Sequence, residues 1–415
     1  MKTALRIILL SAAIALQLNA ADISFEDCMK EAAAGNKDLK SAAEKLAQAE
    51  FNKAVADSSL WPILSATGSL SENITNSTLS SSYNLLASYS IFDGFNAKYS
   101  MAQAEEQLKY ARTVYDTTSA SVRLKVRTAY IDVMKAQNLV SISADISARR
   151  KQSAAMIKLR YEGGNEHKGS WLLAEANYTQ AKYDQAAAIR GLDLARKELC
   201  LALGRSADSQ FKVTENFALT TGLAAKNDFK ALATVSPQVL GAGFLASTAE
   251  YALDQSYTGN YPSLNASAGY GGSALNGGGM VSQFSLGLSA SYTFFDGMKT
   301  KNESDKAASA LKQARIDLDN AVISTVFQLQ QSWTALLNAA DQVDSQQKFY
   351  EANAERTKIA DAQYDQGLLT FDNWTLIEDQ MISSEKNYLN ARASSLSAEA
   401  AWLNVLGRTM ESYFK

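Results

Sequence analysis

The most restrictive feature of the sequence is the stretch 95–162, which contains neither proline nor glycine. Most of its residues are Ala, Gln, Lys, Arg, Glu, Leu and Ser, which are compatible with helix. A single helix of this length measures about 100 Å, because each residue advances a helix by about 1.5 Å. A helix much longer than a compact domain needs neighbours of similar length to cover its apolar stripe. The stretch therefore predicts a bundle of very long helices.

An apolar seam runs along this predicted helix. Val126, Val133 and Val140 recur every seven residues, and Ala129 and Ala136 occupy the intermediate positions of the same heptads. Small residues in a heptad seam let two helices approach closely. The seam therefore predicts coiled-coil packing.

The passage into the long helix occurs twice in the chain. Phe295-Asp296-Gly297 follows Phe92-Asp93-Gly94 at an offset of 203 residues. The same offset relates Tyr130 to Trp333, Tyr161 to Tyr364, Gly164 to Gly367, Trp171 to Trp374 and Leu203-Gly204-Arg205 to Leu406-Gly407-Arg408. Further upstream the offset is 200, which relates Trp61-Pro62 to Tyr261-Pro262. Agreement at fixed offsets over so many positions indicates an internal duplication.

The duplication sets the expected organisation of the chain. Residues 1–20 place Lys2 and Arg6 before a short apolar run, as in a secretory signal peptide that is cleaved after Ala20. The expected segments that follow are a first repeat at 21–204 (an initial helix, strands 62–71 and 82–92, helices 94–160 and 165–203), a connector at 205–235, a second repeat at 236–407 (an initial helix, strands 262–271 and 282–295, helices 297–364 and 369–406) and a tail at 408–415.

The predicted helices of the first repeat also agree in length. The helix after the turn has about 39 residues and the initial helical segment about 25, whereas the long helix has about 67. Two shorter helices placed end to end would therefore match one long helix.

All four predicted strands alternate between a broad apolar side and a side of small, hydroxylated residues. A soluble β-sandwich has the same alternation, and so has a barrel that faces lipid outside and water inside. In the barrel interpretation Leu286, Leu288 and Tyr292 face lipid. Four strands cannot close around water, so several chains would have to contribute to one barrel.

Composition argues against several functional classes. One histidine, two cysteines and three prolines leave little material for a metal site or a disulfide framework. A net charge of -3 argues against a nucleic-acid surface. After the leader, no run of about 18 apolar residues predicts a membrane-spanning helix. His167 lies beside Glu166 and Lys168 without a serine or cysteine nucleophile pattern, so we expect no enzyme activity and no cofactor.

The chain resembles the TolC family of outer-membrane efflux proteins over essentially the whole mature sequence. The resemblance is carried by the duplicated Phe-Asp-Gly junctions, the Tyr-x-x-Gly turns at 161–164 and 364–367, the paired Leu-Gly-Arg endings and the strands that follow Pro62 and Pro262. It implies a mainly α fold with β structure, in which a helical coiled-coil barrel continues into a transmembrane β-barrel. Three identical chains would each give four strands to a twelve-stranded barrel.

The resemblance also implies a location and partners. The protein would lie in the outer membrane of a Gram-negative cell, in contact with lipid, and its helices would form a tunnel across the periplasm. It would dock to a periplasmic adaptor (membrane fusion) protein and an inner-membrane RND or ABC transporter, and would export small molecules or proteins. Family members contact the adaptor at the helix-turn-helix tips, which here are Gly164, Asn165, Gly367 and Leu368.

The family narrows its tunnel at the same end, with polar contacts and an acidic ring. Tyr364 matches the gate tyrosine of the family, three residues before the turn glycine. Asp372 is the nearest candidate for the ring, with Glu378 and Asp379 further along the helix. The acidic position of the family is occupied here by Asn373. Asp372 has an alternative role as a helix N-cap, and Tyr364 has one in simple helix packing.

Two further alternatives stay open at the level of sequence. Cys28 and Cys200 either form a disulfide, which an exported protein permits, or are two buried thiols. A secreted structural coiled-coil or adhesin-like protein without a conducting pore would also explain the helices and the leader. It would not explain why both repeats insert a pair of strands with hydroxylated faces.

Overall fold

The computed structural model describes residues 22–75, 77–206, 211–214, 217–220, 222–223 and 227–413, so the expected signal peptide lies outside the described residues. The helices are α1 (Phe25–Gly35), α2 (Lys37–Asp57), α3 (Asn96–Glu162), α4 (Lys168–Leu203), α5 (Phe229–Thr234), α6 (Pro237–Ser256), α7 (Lys299–Asp365) and α8 (Phe371–Val405). The strands are β1 (Asp22–Ile23), β2 (Ile63–Asn73), β3 (Thr78–Phe92), β4 (Lys212–Val213), β5 (Ser263–Leu275) and β6 (Val281–Ser291). None of the described helices is both long enough and apolar enough to cross a membrane.

The two long helices, α3 and α7, have 67 residues each. An aspartate fixes the start of each one: Asp93 accepts a hydrogen bond from the backbone N–H of Ala97, and Asp296 accepts one from that of Thr300, both at 2.7 Å. Each helix begins two residues later than predicted. The reason is a pair of left-handed residues at each junction, Gly94 with Phe95 and Gly297 with Met298.

The chain forms two compact units. The turn unit comprises Met1–Asn36, Leu124–Thr221 and Leu337–Ala400, and contains both helix-turn-helix turns. The sheet unit comprises Lys37–Arg123, Gly222–Leu336 and Ala401–Lys415, and contains β2, β3, β5 and β6.

In the turn unit, small residues let helices pack closely. Four alanines of α4 at seven-residue spacing are buried: Ala174, Ala181, Ala188 and Ala195. Val126 and Val133 of the predicted seam are fully buried in α3. The end of α4 meets α1 where Gly204, with a left-handed backbone, touches the carbonyl of Gly35.

The cysteines lie in the same unit. Cys28 and Cys200, both within the described residues, are buried and are not joined by a disulfide. Burial raises the pKa of the Cys28 thiol to about 12, so this thiol is protonated at neutral pH. Of the two alternatives that the sequence left open, the structure has the buried thiols.

In the sheet unit the four strands are antiparallel in the order β2-β3-β5-β6. The register places apolar residues opposite one another in continuous rows, for example Ala87 opposite Ala268, which in turn lies opposite Leu286. The other face carries serine pairs whose hydroxyls are 2.7–2.8 Å apart, at Ser69 with Ser82 and Ser71 with Ser80. One face of the sheet is therefore apolar and the other is hydroxylated, as the alternation predicts.

Several details of the strands differ from the sequence prediction. The strand β3 begins at Thr78 instead of 82, and β5 continues to Leu275 instead of 271. Strict alternation would place Ile91 in the apolar row, but a bulge between Ser90 and Phe92 places Phe92 opposite Leu264 instead. The last strand, β6, ends at Ser291 instead of 295. Its partner β5 begins at Ser263, directly after Pro262, and Ser263 pairs with Ser291, so β5 offers no partner beyond this point. Tyr292 therefore lies just beyond the strand. Leu286 and Leu288 are exposed on the apolar face.

If the apolar face meets lipid, Leu288→Arg should impair insertion into the outer membrane, because an arginine at mid-bilayer costs about 2 to 4 kcal/mol. Ser289→Arg, one residue along on the hydroxylated face, is the matched control and should insert normally. Membrane fractionation of the two variants provides the measurement. Normal insertion of Leu288→Arg together with loss of Ser289→Arg would mean that the faces are reversed.

Candidate gate at the two helical turns

Both helix-turn-helix turns have the same backbone geometry. In the first, Gly164 is left-handed and donates to the carbonyl of Tyr161, while Asn165 donates to that of Arg160. In the second, Gly367 is left-handed and its N–H donates to the carbonyl of Tyr364, while the N–H of Leu368 donates to that of Gln363. This pattern is a Schellman motif, which favours glycine at the left-handed position. It explains why glycine recurs at 164 and 367.

The predicted adaptor contacts lie on open surface. Gly164, Asn165 and Leu368 are exposed, and Leu368 presents 74% of its surface. A side chain added at Gly164 or Gly367 would meet no described atom within 4 Å. Both tips are thus accessible to a partner.

A cluster of aromatic side chains lies immediately behind the second turn. Tyr364 is buried and stacks on Trp374, with ring centroids 4.8 Å apart and an interplanar angle of 9°. Phe371 packs beside both rings. The first turn has the corresponding stack of Tyr161 on Trp171, at 5.4 Å. Helix packing is therefore the role that the structure shows for Tyr364, and its gating role remains a prediction.

Polar contacts connect this cluster to the first turn. The hydroxyl of Tyr364 donates to Glu166 at 3.1 Å, and the guanidinium of Arg160 lies 4.5 Å from the centre of the tyrosine ring. Arg160 also donates to the backbone carbonyl of Tyr364 at 3.2 Å. Burial and the nearby Glu166 carboxylate raise the pKa of Tyr364 to about 12, so its hydroxyl stays a donor.

Glu166 and Arg160 were missed as site residues by sequence reasoning. Glu166 contacts a residue 198 positions away, and no spacing rule relates the two. His167, which the sequence analysis found without a nucleophile pattern, is exposed and has a structural role. It is the N-cap of α4, and its ring Nδ1 accepts a hydrogen bond from the backbone N–H of Ser170 at 3.2 Å.

The three acidic candidates occupy different environments. Asp372 is exposed in the first turn of α8, and because the helix begins at Phe371, Asp372 does not hold the N-cap position. Glu378 is buried and accepts a hydrogen bond from Arg150 at 2.6 Å. The same guanidinium also bonds to Asp379, which is largely exposed. Burial raises the pKa of Glu378, and the positive charge of Arg150 opposes that shift.

Glu378 is therefore engaged in a buried ion pair within its own chain, and this weakens its candidacy for a ring of solvated carboxylates. Asp372 has the exposure that such a ring requires. Among the described residues, no group of three or more His, Cys, Asp or Glu side chains is placed to hold a metal ion.

The family model described as "Outer membrane efflux protein" matches residues 28–205 and 231–408, one match for each repeat. The chain belongs to this family. It is an outer-membrane efflux channel with a periplasmic tunnel, and its fold class is the one that the sequence predicted. No curated protein sequence matches the chain.

Solved structures of membrane proteins share the fold. The structure of CusC, described in connection with transmembrane channel formation, aligns with a TM-score of 0.83 at 17% identity, and the alignment covers 94% of this chain and 95% of the CusC chain. A membrane protein from Pseudomonas aeruginosa aligns with a TM-score of 0.82 at 16% identity, and the alignment covers 92% of this chain and 93% of the Pseudomonas chain. The outer membrane protein VceC from Vibrio cholerae aligns with a TM-score of 0.80 at 16% identity, and the alignment covers 92% of this chain and 96% of the VceC chain. These likenesses establish the fold.

The ion pair of Arg150 predicts a specific stability defect. Arg150→Met should lower the free energy of unfolding by about 3 to 5 kcal/mol, because it leaves the buried Glu378 carboxylate without its counter-charge. Lys348→Met is the matched control, since Lys348 pairs with Asp344 on an exposed helix face and its loss should cost no more than about 1 kcal/mol. Denaturant unfolding followed by circular dichroism measures both.

The Arg150→Met defect should also depend on pH. Arg150 opposes the rise that burial causes in the pKa of Glu378, so loss of Arg150 should raise this pKa further. A carboxyl whose pKa is raised on folding stabilises the folded state as the pH falls, and this gain should be larger in the variant than in the parent. The deficit relative to the parent should therefore narrow as the pH approaches the ordinary glutamate range. A deficit that is independent of pH would show that the loss arises from packing rather than from the buried charge.

Proposed function

We propose that three copies of this chain assemble into one outer-membrane channel that exports small molecules or proteins. The observation that supports this most is the open sheet. Among the described strands, β2 and β6 each pair on one side only, while the apolar face is exposed. A sheet edge cannot remain unpaired in lipid, because backbone groups there have no water to bond. Four strands are too few to enclose water, whereas three chains supply twelve.

The channel would receive its cargo from other proteins. The long helices α3 and α7 have 67 residues each, which corresponds to about 100 Å of helix, a length suited to crossing an aqueous compartment. The exposed turns at Gly164 and Gly367 are the proposed docking points for a periplasmic adaptor protein. The adaptor would connect the channel to an inner-membrane transporter of the RND or ABC class.

Reconstitution in planar bilayers tests the channel directly. The purified protein should migrate as a urea-resistant trimer on a gel and give stepwise ion conductance. Stable oligomers without conductance would support a structural or adhesin-like role and would overturn the channel proposal.

We propose further that Asp372 from three copies lines the periplasmic constriction. Asp372 is exposed five residues after the turn glycine Gly367, and Tyr364 and Trp374 fix the helix on which it lies. Carboxylates gathered around a threefold axis in a narrow, water-filled lumen attract cations. They bind multivalent cations better than isolated carboxylates do, because several oxygens contact one ion.

Asp372→Ala should therefore weaken the block of conductance by divalent or trivalent cations added from the periplasmic side, and should reduce cation selectivity, without disturbing the trimer. Asp193→Ala is the control, because Asp193 is an exposed carboxylate on α4 far from the turn in sequence. Unchanged block in Asp372→Ala, with altered block in Asp379→Ala, would place the ring further along the helix.

A further inference from the structure

We propose that the sheet forms an exit that does not select cargo by charge, so that cationic, anionic and uncharged molecules pass its hydroxylated face equally well. Discrimination by charge would then take place only among the helices. The inference rests on the proposed channel, in which the hydroxylated face of each copy lines a water-filled lumen, and it specifies what that lumen admits.

Charged residues are concentrated outside the two stretches that form the sheet. The chain contains 40 lysines and arginines and 43 aspartates and glutamates, which make up 20% of its residues. The stretches 61–92 and 261–295 contain a single one of them, Glu72. Lipid excludes charge from one face of such a sheet, but water places no such limit on the other, where charged residues would tune ion selectivity. The neutrality of the hydroxylated face is therefore not a requirement of the membrane.

The strand register places Glu72 on the apolar face of the sheet. Residues that lie directly opposite one another in antiparallel strands share a face, and successive residues of one strand alternate between faces. Glu72 lies opposite Leu79, whereas the preceding residue, Ser71, lies opposite Ser80 on the hydroxylated face. The one carboxylate of these stretches therefore does not line the hydroxylated face.

Serine, threonine, amide side chains and glycine make up most of the hydroxylated face. These neutral polar positions are Ser65, Thr67, Ser69, Ser71, Asn73, Thr78, Ser80, Ser82, Asn84, Ser88, Ser90, Ser263, Asn265, Ser267, Gly269, Gly271, Ser273, Gln283, Ser285, Gly287, Ser289 and Ser291. The remaining positions of the face are apolar: Ile63, Leu86, Leu275 and Val281. Side chains of these types neither gain nor lose a proton near neutral pH, so the neutrality of the face does not depend on pH.

Hydroxyls of this face bond to one another across the first hairpin. The hydroxyls of Ser69 and Ser82 are 2.8 Å apart, and those of Ser71 and Ser80 are 2.7 Å apart. A molecule that bonds to such a hydroxyl replaces an existing hydrogen bond, so the net gain is small. The face is therefore suited to letting polar cargo pass rather than to holding it.

In the second hairpin, hydroxyls lie along the sheet over glycines. A Cβ atom added at Gly269 would lie 2.8 Å from the Oγ of Ser285, and one added at Gly287 would lie 2.8 Å from the Oγ of Ser267. The glycines thus accommodate the serine side chains of the facing strand. The hydroxylated face is shallow at these positions, and the side chains leave the space above the sheet to the cargo.

Charges beyond the strand ends are too distant to bias the middle of the sheet. Asp93 and Asp296 precede the long helices, and Ser82 and Ser285 each lie eleven residues before one of them. Eleven residues of strand correspond to about 36 Å. At physiological ionic strength the field of a solvated charge is screened over about 8 Å. The potential at mid-strand therefore depends on the hydroxylated face itself.

Charged thiol reagents measure this potential in the full-length protein in outer membranes, in a background where Cys28 and Cys200 are replaced by serine. Ser82→Cys is exposed to the cationic reagent trimethylammonium-ethyl methanethiosulfonate and to its anionic sulfonatoethyl counterpart. The ratio of the two rates should lie within about twofold of the ratio for 2-mercaptoethanol in solution, because both reagents react with the same thiolate and only their charge differs.

Matched charges on the facing strand calibrate the measurement. The hydroxyl of Ser69 is 2.8 Å from that of Ser82, so a charge at position 69 would lie beside the new thiol. Ser69→Asp should shift the ratio about tenfold towards the cationic reagent, and Ser69→Lys about tenfold towards the anionic one. Ser80→Cys, which lies opposite Ser71, repeats the test in case position 82 does not tolerate the change. Leu85→Cys, on the apolar face of the same strand, should react with neither reagent.

The outcomes separate this inference from the proposed channel. If the wall cysteines at 82 and 80 react but their rate ratios lie outside the twofold range, the face carries a potential, and the inference is wrong while the channel stands. The inference is also wrong if Ser69→Asp and Ser69→Lys leave the ratio unchanged, because charge on the face would then be without effect. If neither wall cysteine reacts, or if Leu85→Cys reacts in their place, the hydroxylated face does not line water and the proposed channel fails with the inference. An unbiased ratio with opposite shifts in the two charged variants supports both.

Discussion

Hydrogen bonding at strand edges is the constraint on which the arrangement of this chain depends. The four-stranded sheet has an apolar face suited to lipid, but β2 and β6 each have one edge that no described strand pairs. Water can satisfy such an edge, whereas hydrocarbon cannot. The family assignment to outer-membrane efflux proteins and the open edges therefore lead to the same requirement, which is that each open edge find a hydrogen-bonding partner where it meets lipid.

The internal duplication extends to strand register. Ile63 lies opposite Ser88 in the first hairpin and Ser263 lies opposite Ser291 in the second, and the sequence offsets of 200 and 203 convert the first pair into the second. The two hairpins are therefore equivalent residue by residue, although equivalent positions can differ in chemistry, as Gln255 and Val55 do.

At the two helical turns, the backbone and the side chains are fixed by different kinds of interaction. Their backbone is set locally by left-handed glycines, whereas the side chains behind them are held by long-range contacts: the Tyr364–Trp374 stack, the Glu166 acceptor and the Arg150–Glu378 ion pair. A buried ion pair has a large desolvation cost, so its value lies more in specifying one arrangement of the helices than in net stability. Exposed tips backed by these packed side chains suit the docking role proposed for the two turns.

Local pattern in the sequence by itself determined the long helices, the paired strands with two unlike faces, the turn glycines and the duplication. These features depend on residues near in sequence or at a fixed period, and so they could be predicted. Tertiary structure alone decided that Glu378 is buried against Arg150, that Tyr364 meets Glu166, that Cys28 and Cys200 are buried without a disulfide and that Phe92 replaces Ile91 in the apolar row. Each of these depends on which distant segments come into contact, and burial, charge pairing and strand register arise only from that contact.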